Sequence, residues 1–241
     1  MRKWLQTTEC LTFAVDGGVA TVTLNRPEKR NALNRTLLRE LREAMLEADD
    51  LKAVHCVILK GAGKDFCSGY DMSAPGTPAG SAHGDAGNRA GGPDPALYRQ
   101  GAASIADDVW RLERNQSDIL SIFDMHKPVI AQVHGYCVAG GTDLALACDM
   151  VIAAREARIG FPATRAMGTP PMHWWLANVG PQWAKRLLLT GDMLTGRDAA
   201  RIGVALKAVP AAKLDAEVRA LAARMALIDP DMLAANQRIV N

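Results

Sequence analysis

Apolar and β-branched residues fill Cys10–Val15 and Val19–Leu24, and Asp16-Gly17-Gly18 divides them with a hairpin-turn signal. A β-hairpin is predicted there. Asn25–Asn31 is polar and holds Pro27, which predicts a loop. From Asn34 to Ala48, residues Leu37, Leu38, Leu41, Met45 and Ala48 share one face, the spacing of an amphipathic helix. His55–Lys60 predicts a strand that ends at Gly61-Ala62-Gly63. Helical spacing returns from about Ala102 to Met125, with Ile105, Val109, Leu112, Ile119 and Phe123 in phase. Val129–Val133 and Met150–Ala153 predict two more short strands, with a glycine-opened helix between them. Helices follow over Gln182–Leu189 and Gly196–Ile202, then a strand over Leu206–Val209, then helices over Lys213–Ile228 and Asp231–Val240. The last helix meets no glycine or proline stop before Asn241, which leaves its extent open.

Ser73–Pro95 interrupts this alternation of strands and helices. It is rich in Gly, Ala, Pro and Ser and nearly free of large apolar residues. Such a stretch buries too little surface to order itself, so a mobile surface loop within one domain is expected.

Composition narrows the function classes. The 241 residues are 49% hydrophobic and 22% charged, enough to bury a sizeable core. A net charge of +2 gives no reason to expect a nucleic-acid partner or a polybasic membrane contact. No apolar run approaches the ~20 residues of a membrane span. Met1–Thr12 lacks the apolar stretch of a secretory signal. The five cysteines form no CxxC pair and read as reduced thiols of a cytoplasmic protein. The five histidines show neither HxH nor HxxxH spacing, so no metal site is expected.

The candidate chemistry starts at Gly140-Gly141-Thr142-Asp143. A strand that breaks at glycines and restarts as a helix leaves unpaired N–H groups at the break, and the helix dipole adds positive charge there. That suits an oxygen that becomes negative during a reaction, and Asp143 follows at once. Other motifs fail. Gly61-Ala62-Gly63 lacks the third glycine of a dinucleotide loop, because position 66 is Phe, and no P-loop follows. Ser68 lacks the glycine at 66 that a nucleophile elbow requires. Phe66–Asp71 reads instead as a second strand exit with exposed backbone donors. If Ser68 and Gly140 aim their amides at one point they form an oxyanion hole, each donor worth ~2.7–4 kcal/mol of barrier.

These segments, taken in order, resemble the crotonase (enoyl-CoA hydratase/isomerase) superfamily over roughly residues 10 to 240. The match is carried by Leu24–Leu33, by Phe66–Met72, and by Lys127–Ala131 running through Gly135–Gly141 to Cys148-Asp149. Ala157–Pro162, Leu189-Thr190-Gly191 and Ala199–Gly203 complete it. The resemblance implies an α/β fold with a repeated β-β-α spiral core over 1–203 and a C-terminal helical trimerisation segment over 204–241. It implies a homotrimer or homohexamer, and an acyl-CoA thioester as substrate. Coenzyme A enters as part of that substrate, with no separate cofactor. By position, Ser68 and Gly140 hold the thioester oxygen, and Gly141 belongs to the same substrate-binding turn. Lys29, Arg30 and Ala32 meet the CoA phosphates and pantetheine. Tyr70, Asp71 and Met72 lie beside the adenine.

The sequence departs from the family pattern at the acids. Hydratases of the family carry one glutamate after the glycines and another after the Gly-x-Pro segment. Here the first is Asp143 and the second is Ala163. Dienoyl isomerases carry Asp at the first position but add acids at positions matching Ala163 and Pro171. Thr169–Trp175 replaces a stretch that is glycine-rich in hydratases. His173 there reads either as a substitute acid or base near the acyl group or as a packed histidine. Arg165 reads either as a partner for an acyl carboxylate or as a surface salt bridge. The reading favours hydration of a 2-enoyl-CoA, with Asp143, Ser68 and Gly140 as the catalytic set. A crotonase-fold isomerase, a decarboxylase or C–C hydrolase, and a non-catalytic acyl-CoA binder remain as alternatives.

Overall fold

The structure is a computed structural model that describes residues 3–71, 113, 116–166 and 168–241. The loop predicted over 73–95 and most of the helix predicted from Ala102 lie outside the described residues; 116–123 is helical, as its spacing predicts.

The hairpin forms where the alternation places it: β1 (Leu11–Asp16) pairs antiparallel with β2 (Val19–Leu24), Asp16 opposite Val19. Gly17 and Gly18 both take positive φ (54° and 82°), as a two-residue turn of the primed type demands. The sheet then grows through β3 (Cys56–Gly61) and β4 (Val129–Val133), both parallel to β2. β4 is buried at every position, which explains an apolar run without alternation. After β5 (Tyr136–Val138), β6 (Met150–Ala154), β7 (Arg158–Gly160), β8 (Met193–Thr195) and β9 (Lys207–Val209), the six-stranded order is β1-β2-β3-β4-β6-β9. A second, three-stranded sheet has the order β5-β7-β8. Its strands are three residues long, too short to show any period in the sequence.

Besides the helix at 116–123, the helices among the described residues are α1 (Arg35–Asp50), α2 (Gly140–Ala147), α3 (Trp174–Thr190), α4 (Gly196–Ile202), α5 (Ala211–Ala226) and α6 (Pro230–Val240). Asn34 caps α1 by accepting from the Leu37 amide. The apolar stripe of α1 packs on β1 and β2. α3 begins eight residues before the helix predicted at Gln182. Gly180 (φ 70°, ψ 174°) and Pro181 kink it without ending it, so the sequence reads as a stop.

The two sheets arise from one repeating path. A strand in the large sheet leads to a short strand or bridge in the second layer, and then to a helix. β3 leads to 66–70 and the helix at 116–123; β4 leads to β5 and α2; β6 leads to β7 and α3. Parallel bridges Leu33↔Tyr70 and Cys67↔Cys137 extend the second layer across these turns. This is the β-β-α spiral expected. One core runs through it and takes Leu214, Val218 and Ala222 from α5, which packs on β3, β4 and β6.

Two buried glutamates on α1 have a plain structural use. Glu40 accepts from the Thr7 hydroxyl and the amides of Glu9 and Cys10; Glu47 accepts from the amides of Trp4 and Leu5. They hold the N-terminal segment against the helix. Among the described residues no helix is long and apolar enough to cross a membrane.

Candidate active site

Three successive turns of the spiral meet at the start of α2. β5 ends at Val138, and Ala139 turns the chain with φ 49° and ψ −123°. Thr142 and Asp143 donate their amides back to the Ala139 carbonyl, at 2.8 and 3.4 Å. Among the described residues no acceptor meets the N–H of Gly140 or Gly141. The helix therefore starts with two free donors at its positive end. A side chain at 141 is excluded: a Cβ there would lie 2.5 Å from the Cys67 carbonyl oxygen. α2 packs directly on the 66–69 segment because Gly141 has no side chain.

That segment is held from both sides. Cys67 donates its amide to the Tyr136 carbonyl and accepts from the Val138 amide. Leu33 donates to the Gly69 carbonyl, and Asp71 donates to the Leu33 carbonyl. The Ser68 amide donates to the Arg30 carbonyl at 3.0 Å. The sequence anticipates two open amides; in the structure Gly140 is open and Ser68 is engaged. Arg30 reaches this position through an αL conformation (φ 50°), which turns its carbonyl toward Ser68.

Asp143 lies one helical turn from Gly140 and is 1% exposed. Its Oδ2 has no hydrogen-bond partner. Burial pushes its carboxyl up to about 7, so it exchanges its proton near neutrality. A buried acid with an unsatisfied oxygen at a helix start exceeds what a dipole-complementing residue needs, and such perturbed acids mark functional sites.

The remaining predicted residues fall as follows. Lys29 and Arg30 are exposed, and the Lys29 carbonyl lies 3.4 Å from Ser68 Oγ. The Arg30 guanidinium sits 3.7 Å from Asp65 and 5.5 Å from the Tyr136 ring centroid. Ala32 is buried, and its carbonyl accepts from Arg26. Tyr70 lies over Gly140: a Cβ on Gly140 would be 2.8 Å from Tyr70 Cε2 and 2.9 Å from Leu33 Cδ1. Tyr70 thus stands at the helix start. Asp71 forms a half-buried ion pair with Arg26 at 2.8 Å. Met72 lies outside the described residues. His173 stands exposed just before α3, 5.3 Å from the Trp174 ring, which removes the packed-histidine reading. Arg165 donates to the Thr190 carbonyl and pairs with Asp192 at 3.1 Å, so it is a surface salt bridge. Ala163 lies in a short 3-10 turn (Pro162–Ala166).

Asn31 is the residue the sequence reading misses. It is fully buried in the αL region (φ 56°), accepts from the Arg26 amide, and donates to the Ala62 and Asp65 carbonyls. It ties the basic loop to the turn after β3. The polar loop around Pro27 is visible in sequence, but its partners are set only when the turns stack. Asn31→Ala leaves two buried carbonyls without a donor and is expected to cost about 2–4 kcal/mol, read as a lower urea midpoint.

A free helix-start amide, a neighbouring strand exit and a buried acid define a class of enzyme that stabilises an oxyanion beside a proton-transfer group. The comparisons place it further. The sequence model of the enoyl-CoA hydratase/isomerase family matches residues 14–85 and 95–241. The chain is 32% identical over 212 residues to a crotonyl-CoA hydratase of Syntrophomonas wolfei, covering 86% of this chain and 72% of that one. It is 34% identical over 237 residues to a putative enoyl-CoA hydratase of Mycobacterium tuberculosis, covering 91% and 68%. The crystal structure of an enoyl-CoA hydratase from Mycobacterium smegmatis superposes with a TM-score of 0.83 at 36% identity, covering 98% and 78%. The chain belongs to the enoyl-CoA hydratase/isomerase family of the crotonase superfamily.

Proposed function

We propose that this chain is an enoyl-CoA hydratase-type lyase that adds water across the double bond of a 2-enoyl-CoA, or removes it in reverse. The observation that carries the reading is Asp143: a buried carboxyl whose Oδ2 has no hydrogen-bond partner and whose pKa is pushed up to about 7, one turn from an open backbone amide. The thioester oxygen accepts from the Gly140 amide. The Ser68 amide joins when the Arg30 carbonyl gives up its hydrogen bond. The Asp143 carboxylate takes a proton from water as its oxygen attacks C3, and negative charge moves to the thioester oxygen. The exposed Lys29 and Arg30, next to the 66–69 segment, suit the CoA phosphates. The exposed apolar residues Leu227, Met232, Ile239 and Val240 on and beside the terminal helices support the trimer or hexamer, and a cytoplasmic setting suits five free, buried thiols.

Consumption of crotonyl-CoA by the full chain tests the reading. Turnover of crotonyl-CoA is expected. No turnover of short or medium 2-enoyl-CoAs, with saturated acyl-CoA still bound, overturns hydration and favours a binder. Because the base must be ionised, log kcat/KM should rise with pH at unit slope and level off above about 7.

A further inference from the structure

Hydration also needs a proton delivered to C2, and the position that carries the second acid elsewhere in the family is Ala163, which has none to give. Among the described residues around Gly140, Tyr70 carries a hydroxyl proton suited to that step. Tyr70 is placed by the Leu33↔Tyr70 bridge and by the donation of Leu33 to the Gly69 carbonyl. Its ring rests on the α-carbon of Gly140, with Cε2 and Cδ2 lying 2.8 and 3.0 Å from where a Cβ would be. Asp143 follows Gly140 by three residues on α2, so its side chain rises on the same face of the helix. The ring is half-buried.

Resting on the hydratase reading, we propose that the Tyr70 phenol is the acid that protonates C2, working as a pair with Asp143. The chemistry balances within the pair. Asp143 takes a proton from water while the water oxygen bonds to C3, and the π electrons move into the enolate held by Gly140. The enolate collapses by taking the Tyr70 hydroxyl proton at C2. The Tyr70 oxygen then recovers a proton from the protonated Asp143, restoring both groups, and the net change is one added water. Burial first, and the Asp143 carboxylate second, hold the Tyr70 phenol well above its ordinary range. The phenol therefore rests protonated at working pH, the state a donor requires.

The test uses the full chain with crotonyl-CoA, comparing wild type, Tyr70→Phe, Asp143→Asn and the double variant. Tyr70→Phe removes a single oxygen and leaves the ring on Gly140, so butyryl-CoA binding should stay within threefold of wild type. Its kcat should fall about 10- to 100-fold. In 2H2O, wild type should place deuterium at C2 in one configuration, and Tyr70→Phe in both, because solvent then delivers it. A structural role would not move that stereochemistry. Residues acting as a unit are not additive, so the double variant should be about as slow as Asp143→Asn alone. A Tyr70→Phe rate within threefold of wild type, or unchanged C2 stereochemistry, overturns the Tyr70 assignment and leaves hydration standing. A wild type inactive on enoyl thioesters overturns both.

Discussion

Asp143→Asn loses crotonyl-CoA hydration by about 10²- to 10⁴-fold, the usual worth of a positioned base, while the folded protein becomes more stable at pH 8. The two effects share one cause. Folded Asp143 keeps its proton up to about pH 7, whereas its ordinary value is 3.8. Between those values the folded state binds more protons than the unfolded one, so raising pH disfavours folding. The stability tied to this acid is whole below about pH 4 and is lost as pH passes through about 7. An amide carries no such penalty, and the shift corresponds to at most about 4 kcal/mol. Thermal unfolding at pH 5 and pH 8 checks it: the difference in Tm between variant and wild type should be larger at pH 8. Asn that is both inactive and no more stable at pH 8 would show that the acid is not held protonated by burial. Asn with wild-type turnover would remove it from the reaction.

Gly141→Ala is the second large effect. The added methyl would meet the Cys67 carbonyl oxygen at 2.5 Å and Cys67 Cβ at 3.0 Å. Neither can turn away, because Cys67 is paired through its backbone with Tyr136 and Val138. α2 must move off the 66–69 segment, taking the Gly140 amide and Asp143 with it. An oxyanion donor moved out of line costs about 10²- to 10³-fold in kcat. The overpacking itself costs about 1–3 kcal/mol. Steady-state kinetics on the folded variant would show the loss in kcat with a smaller change in butyryl-CoA affinity. Gly141→Ala with full activity would mean that close packing of α2 on this segment is not required.

Much of this was legible before any coordinates. β1, β2 and β4 follow from apolar and β-branched runs bounded by turn residues, and α1 from a face that includes Leu37, Leu41 and Met45. Gly140-Gly141-Thr142-Asp143 is readable because a helix start with a nearby acid is a local feature of sequence. β5, β7 and β8 are not readable, since three residues carry no period. The positions of Tyr70 and Asn31 are not readable either. Both depend on which turn of the spiral lies on which, a relation between residues far apart in the chain. The same reason hides the engagement of the Ser68 amide by Arg30: an αL residue at 30 has no signature in an Arg-Asn pair.

The stacking of short second-layer strands has a wider consequence. Leu33, Cys67–Tyr70 and Tyr136–Gly140 are neighbours through their register, not through the segments that join them. A one-residue slip in any of these strands would displace its groups by about 3.3 Å and turn its side chains to the opposite face. The reacting centre is therefore specified by strand register, and any change that shifts the pairing of 67 with 137 or of 33 with 70 dismantles it.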